Sequence, residues 1–260
     1  MKLAVHGATG RMGMAVVRLA RAAGDEVVGG ACAPGDPNAG RDLGELAGIG
    51  SLGVVATPDV GSALLGAEVV VDFSTASAVP ALLGTAAQQK VAVVSGTTGL
   101  GGPAEAAIER AAQVIPVLWA PNTSLGVHVL AELVEQAVRQ LGSRFDVEIV
   151  EIHHRKKIDA PSGTALRLAA AARAGRPDLA ELHARDGNVG ARKGEELGVL
   201  AVRGGDVIGD HTVFLLGSGE RLELTHRASS RELFAEGALA AARFVVGKAP
   251  GRYSLKDVLA

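Results

Sequence analysis

The residues best equipped for chemistry fall close together, in Glu151-Ile152-His153-His154-Arg155-Lys156-Lys157-Ile158-Asp159-Ala160-Pro161-Ser162-Gly163-Thr164-Ala165. Histidine can carry a proton near neutral pH, and a lysine beside it keeps a fixed positive charge or donates in its turn. His153 and Lys157 are spaced so that a one-turn bend brings them to the same side. A helix entered through Ser162, Gly163 and Thr164 offers amides and hydroxyls, which suit a carboxylate. Taken together, these residues describe a pocket for a small anionic substrate with a proton donor next to it. The same residues would also make a solvated basic loop that ends in a helix cap, and by themselves they leave both readings open. A metal site is not expected: adjacent histidines on a strand face opposite ways, and no cysteine or tight carboxylate cluster stands near them.

Such a loop needs rigid flanks. Residues 147–152 form an apolar, strand-like run ahead of it, and residues 166–174 an Ala/Leu-rich helical run after it. Near the start, residues 2–6 read as a strand that meets Gly7-Ala8-Thr9-Gly10-Arg11-Met12-Gly13, and residues 12–23 read as a helix ending at Gly24. Strand, glycine turn and helix open a dinucleotide-binding unit: the glycines let backbone approach a pyrophosphate, whose charge meets the helix start. An ordinary tight turn is the plainer alternative, and a solvated Arg11 the plainer account of that cation. Three further strands end at Asp72-Phe73-Ser74-Thr75, at Gly96-Thr97-Thr98-Gly99 and at Pro121-Asn122-Thr123-Ser124. Apolar strands alternating with helices imply a parallel sheet covered on both faces, with ligands at the strands' carboxyl ends. The second strand, 26–32, should end in an acid for the ribose or near an arginine for a 2′-phosphate, and offers neither. Asp36 could reach back from the next loop, although a turn-forming Asp in Pro-Gly-Asp-Pro is the plainer account.

Past residue 125 the pattern changes. A long helix over 125–141 carries His128, read as a packed or interface residue, and residues 184–194 read as a charged surface loop. Three β-type runs at 198–203, 210–216 and 221–227 suggest an antiparallel or mixed open sheet. A last helix over 231–246 and the tail 251–258 are expected to return to the first domain. The reading is therefore an α/β protein: a Rossmann-like parallel-sheet domain over 1–124, completed by about 232–260, and an α+β domain over 125–231 for substrate binding and oligomerisation.

Composition narrows the partners. Aromatics are 3% against 48% hydrophobic residues, so the core must be built from Ala, Val and Leu. A formal net charge of −2 gives no general attraction to nucleic acid or anionic membrane. Cys32 is the only cysteine, which excludes an internal disulfide and suits a reducing compartment. No apolar run reaches the roughly 18 to 20 residues that span a bilayer. The opening residues lack a signal-peptide pattern, so a cytoplasmic protein is expected.

Seven segments in order resemble the 4-hydroxy-tetrahydrodipicolinate reductase (dihydrodipicolinate reductase) family: the Gly7 to Gly13 turn, Asp72-Phe73-Ser74, Gly96 to Gly99, Asn122 to Gly126, the run 151–165, Gly209-Asp210-His211-Thr212-Val213, and His226 to Arg231, with Gly251-Arg252-Tyr253 behind them. The resemblance implies hydride transfer from NADH or NADPH to a cyclic dicarboxylate in the diaminopimelate and lysine pathway. It implies His153 as general acid, with Lys157 as its partner in proton donation or iminium activation. It further implies substrate-carboxylate contacts at His154, Gly163 and Thr164, to which the residue reading adds Ser162. Cofactor contacts are implied at Gly7, Ala8, Thr9, Gly10, Arg11 and Met12, and on the nicotinamide side at Gly96, Thr97, Thr98, Ala120, Pro121, Asn122 and Thr123. A homotetramer built through the second domain's sheet is implied as well. Two departures stand out: Ala33 and Pro34 occupy the places of a Glu-Arg pair found in members that take both cofactors, and Lys156 stands where histidine is common. Use of both cofactors is the expectation. The alternatives are a related imine or amino-acid dehydrogenase, or a non-catalytic NAD(P) sensor.

Overall fold

The computed structural model describes residues 1–260. In chain order its elements are β1 (Lys2–His6), α1 (Arg11–Ala22), β2 (Glu26–Ala31), α2 (Leu43–Ala47), β3 (Ala56–Thr57), α3 (Val60–Ala63), β4 (Val69–Asp72), α4 (Val79–Gln89), β5 (Ala92–Ser95), α5 (Gly102–Ala112) and β6 (Pro116–Trp119). They continue with α6 (Leu125–Leu141), β7 (Asp146–His153), α7 (Gly163–Gly175), β8 (Ala180–Leu182), β9 (Glu196–Arg203), β10 (Asp210–Leu216), β11 (Arg221–Arg227), α8 (Glu232–Val245), β12 (Gly251–Tyr253) and α9 (Leu255–Leu259). The chain divides into two compact units: Met1–Ser124 with Glu232–Ala260, and Leu125–Arg231.

The first unit is a seven-stranded sheet in the order β12-β6-β5-β4-β1-β2-β3, and all its pairings are parallel. Helices cover both faces, which is why the central strands carry no polar alternation: Val69, Val70 and Val71 of β4 are all fully buried. On one face α4 and α5 pack with Leu82, Leu83, Ile108, Val93 and Val117. On the other, α1 lies against α8. Full burial of a Leu or Val side chain contributes about 1.5 to 3 kcal/mol, so a core poor in aromatics can still be secured by number. Because the strands run parallel, the loops after β1, β4, β5 and β6 emerge at one sheet edge. A buried polar staple joins three of these ends. Asp72 accepts from Ser95 Oγ at 2.6 Å and Thr97 Oγ1 at 2.8 Å, and pairs with His6 Nδ1 at 2.8 Å. Burial pushes the Asp72 carboxyl up, but His6 and the neighbouring hydroxyl and amide donors outweigh that and hold it below the usual range.

The second unit is a five-stranded mixed sheet, β11-β10-β7-β9-β8. Central β7 pairs antiparallel with β10 and parallel with β9. Its burial alternates strictly, with Val147, Ile149, Glu151 and His153 pointing to the covered face. There α6 and α7 supply Val134, Val138, Leu168 and Ala172 to a core with Ile149, Leu197, Val199, Val213 and Leu215. Gly175 allows close helix approach, since a Cβ there would lie 2.5 Å from the Glu135 carbonyl oxygen. Residues 184–194 are irregular, but not loose: Arg185 grips Glu148 and Glu196, and Arg192 grips Asp146 and Glu148. No helix is long and apolar enough to cross a membrane.

Candidate active site

In the second unit, chemistry gathers at the carboxyl end of β7. Sequence reading put His153 in a loop; the structure makes it the last residue of the strand. That difference matters, because a strand of period two puts Glu151 on the same face, fully buried. Glu151 Oε2 lies 2.5 Å from His153 Nδ1. Its carboxylate also accepts two bonds from Arg203, at 2.7 and 2.8 Å, and the amide of Ser162 at 3.0 Å. Burial pushes Glu151 up, yet Arg203, His153 and Ser162 together hold it below the ordinary glutamate range. An ionised carboxylate only accepts, so Nδ1 must carry hydrogen, and the proton that comes and goes belongs to Nε2. Nothing in the protein hydrogen-bonds Nε2. Beside it lies Gly209, where a Cβ would sit only 2.9 Å from that nitrogen. The strand after the turn therefore leaves open the place where an acceptor must come.

His153 is tuned against holding its proton at rest. Burial depresses its pKa most, Glu151 raises it, and the charges of Lys157 and Arg203 depress it again, for a net lowering. Behind it stands His211, 3% exposed, its ring edge-on to His153 with centroids 5.1 Å apart. Burial, followed by the charge of His153, takes His211 down to about 4, so it is neutral at physiological pH. Ser162 Oγ accepts from the Ala165 amide at 3.2 Å and lies 3.1 Å from His211 Nε2.

The other predicted residues separate into groups. Ser162 caps α7 and is 2% exposed, so its hydroxyl is committed inward, while Gly163 opens the helix on the exposed side with Thr164 behind it. Ala160–Pro161 is a cis bond. Lys157 is paired with Asp159 at 2.8 Å and reaches His153 through its charge, with no direct bond. His154 leaves the strand, bonds the Val207 carbonyl by its amide at 2.7 Å, and meets Arg231 through Nε2 at 3.2 Å. Lys156 is exposed. The arrangement offers one proton on Nε2 and an anion-attracting rim of Lys157, Arg231 and the α7 helix start. No three His, Cys, Asp or Glu side chains cluster as metal ligands would.

In the first unit, the Gly7 to Gly13 turn fits a pyrophosphate. Gly7 has φ of 77°, and a Cβ there would be 2.6 Å from the Phe73 carbonyl oxygen. A Cβ on Gly13 would strike the Gly7 carbonyl. No side chain caps α1, so its first-turn amides are not claimed by a protein side chain. Ala8 is buried, whereas Thr9, Gly10, Arg11 and Met12 are more open. On the far loops, Gly96 lies under the Phe73 ring, Thr97 spends its hydroxyl on Asp72, and Thr98 is exposed. Trp119 Nε1 holds the Thr97 carbonyl at 2.9 Å. Beyond β6, Ala120 is buried, Pro121 is exposed, Asn122 Oδ1 accepts from the Ser124 amide, and Thr123 Oγ1 bonds the Phe234 carbonyl at 2.6 Å. Gly237 of α8 presses on the Thr123 carbonyl, so the late helix braces this loop.

Sequence reading missed Glu151, Arg203 and His211 as working residues. Period-two spacing from Val147 through His153 was the available signal for Glu151; the other two depend on sheet register.

The family model described as dihydrodipicolinate reductase, N-terminus, matches residues 1–123, and that for the C-terminus matches residues 126–259. A protein of Anaeromyxobacter sp. (strain Fw109-5) named 4-hydroxy-tetrahydrodipicolinate reductase is 50% identical, covering 100% of this chain and 97% of its own. One of the same name from Myxococcus xanthus is 46% identical over 100% of this chain and 97% of its own. Among solved structures, dipicolinate-bound dihydrodipicolinate reductase from Paenisporosarcina sp. TG-14 superposes with a TM-score of 0.75 at 24% identity, covering 100% and 99% of the two chains. An amine dehydrogenase of Mycobacterium smegmatis follows the same fold with a TM-score of 0.63, 14% identity and coverage of 99% and 95%.

Proposed function

Because the chain belongs to the dihydrodipicolinate reductase family, oxidoreductases that reduce 4-hydroxy-tetrahydrodipicolinate to tetrahydrodipicolinate, we propose that its first unit holds NADH or NADPH and its second holds the dicarboxylate and supplies the proton. The observation that carries the reading is the Glu151–His153 pair, with Nδ1 fixed as donor and Nε2 left open beside Gly209. Glu151 holds the ring and balances the imidazolium; His153 delivers the proton from Nε2. The start of α7 at Gly163 and Thr164 holds carboxylate, with His154 and Arg231 beside it, and Lys157, whose charge bears on His153, is its partner in delivering the proton. When bound, the nicotinamide supplies the hydride. One hydride and one proton are added, the 4-hydroxyl leaves as water, and the atoms balance.

The first-unit loops at Gly7 to Met12 take the pyrophosphate, and those at Gly96 to Thr98 and Ala120 to Thr123 take the nicotinamide side. Assembly to a tetramer uses the uncovered face and edge of the mixed sheet, where Val202, Leu216 and Leu222 are exposed. Light scattering on the purified protein checks that state. For the activity, the condensation product of pyruvate and aspartate semialdehyde is supplied and loss of NADH or NADPH is followed. His153→Ala and Lys157→Ala should each lower turnover by about 10² to 10⁴, as expected for lost acid catalysis. Turnover at the unmodified rate in both variants would remove these roles.

A further inference from the structure

Ribose recognition after β2 lacks its usual side chains, since Ala33 and Pro34 can neither accept from a hydroxyl nor meet a phosphate. Three aspartates lie between β2 and β4, and their bonding separates them. Asp42 caps α2 and is saturated, taking the amides of Gly44, Glu45, Leu52 and Gly53 and the Ser51 hydroxyl. Asp59 is spent on the Gly61 amide and Ser62 hydroxyl at the start of α3. Asp36 is different. Its Oδ2 accepts from Thr9 Oγ1 at 2.7 Å, within the glycine turn that fits a pyrophosphate, and its Oδ1 accepts from the Asn38 amide at 2.8 Å. The Asn38 side chain also bears on this carboxylate, and of its about four lone-pair sites at least one stays for a further donor. It is half-buried and remains open on one side.

We propose that Asp36, tethered to the turn by Thr9, is the cofactor-specificity residue of this chain, accepting from the adenosine ribose hydroxyls and disfavouring a 2′-phosphate. A free 2′-hydroxyl donates to a carboxylate; a phosphate in its place brings like charge against like charge. The bonds from Thr9 and Asn38 hold Asp36 in its charged form, below the usual carboxylate range. Arg41, the cation of the same loop, donates to Asn38 Oδ1 at 2.9 Å and does not pair with Asp36. The chain can thus turn over both cofactors while binding NADH more tightly. This inference rests on the first unit being the dinucleotide holder, and it adds which dinucleotide is favoured and why.

The test is direct binding of NADH and of NADPH to the full-length protein without substrate, by calorimetry or nicotinamide fluorescence. The unmodified protein should bind NADH about tenfold or more tightly than NADPH, the ratio that one unfavourable charge contact readily produces. Asp36→Asn, which keeps shape and removes charge, should tighten NADPH and bring the ratio towards one. Thr9→Val, which removes the tether, should weaken NADH more than NADPH and so lower the preference, beyond any loss both cofactors share at the pyrophosphate turn. Equal or tighter binding of NADPH by the unmodified protein, or an unchanged ratio in Asp36→Asn, would overturn the assignment while leaving the dinucleotide reading intact. Binding of neither cofactor would overturn both.

Discussion

Glu151→Gln is the most informative perturbation of the substrate unit, because the residue is fully buried and serves three partners at once. The substitution keeps shape and deletes one charge. An opposite charge at hydrogen-bond range moves a pKa by about 1 to 3 units, so removing it leaves His153 with burial and with the repulsion of Lys157 and Arg203. The folded His153 pKa, already held below its ordinary value, falls further. At a fixed pH above it, each unit leaves tenfold less protonated acid, and turnover should drop by about 10 to 10³. Stability suffers too, since breaking a buried pair by removing one partner costs about 3 to 5 kcal/mol, and glutamine recovers part of that by accepting from Arg203. The assay is kcat/KM across pH, with NADH binding to the other unit as the control for intact protein. The alkaline fall of the profile should move to lower pH. An unmoved profile with near-normal turnover would refute the role given to Glu151, and a loss of rate with an unmoved profile would reduce it to ring orientation alone.

Three further predictions follow from named contacts. His211 has a folded pKa of about 4 against 6.5 when exposed, so the unfolded chain takes up the proton first. Its contribution is intact above pH 6.5 and is lost as pH falls towards 4, by up to about 3 kcal/mol at 1.36 kcal/mol per unit; His211→Asn should flatten that acid limb in denaturant titrations. Gly209→Ala sets a methyl 2.9 Å from His153 Nε2 and should lower turnover by about 10² with the fold preserved, read by kinetics beside circular dichroism. Gly7→Ala forces a side chain to φ of 77° and against the Phe73 carbonyl, at a conformational cost of about 1 to 2 kcal/mol before the clash, and should weaken both NADH and NADPH in direct titration.

Much of the first unit was legible because its signals are local. Continuous runs such as Val69-Val70-Val71 read as doubly covered strands, and the glycines at 7, 10 and 13 read as a close backbone approach, which the blocked Cβ positions at 7 and 13 explain. Short elements were not legible: α2, α3 and the two-residue β3 owe their existence to aspartate caps and to pairing with β2, which no periodicity announces. Strand β12 was expected only as a returning tail, because three residues gain a strand's identity from β6 alone. In the second unit the mixed sheet was expected from β-type runs, yet its order was not, since β8 and β9 join parallel across the charged segment that Arg185 and Arg192 tie down.

The site divides along the same line. His153, His154 and Lys157 could be found from their residue types, because unusual chemistry in fifteen consecutive positions is visible without a fold. Arg203 and His211 arrive from β9 and β10, opposite His153 and Glu151, and only sheet register brings them there. Glu151 lies between these cases. It stands two residues before His153 in a strand whose inward positions are Val147, Ile149, Glu151 and His153, so an acid at an inward place was readable as an anomaly in an otherwise apolar face. A lone buried carboxylate is unstable unless something meets its charge, and the nearest group on that face is the histidine two residues on. The consequence reaches the chemistry. With Nδ1 bound to a carboxylate by strand periodicity, the exchangeable proton is confined to Nε2, and the nitrogen that can act on a substrate is settled by the alternation of β7 before any substrate arrives.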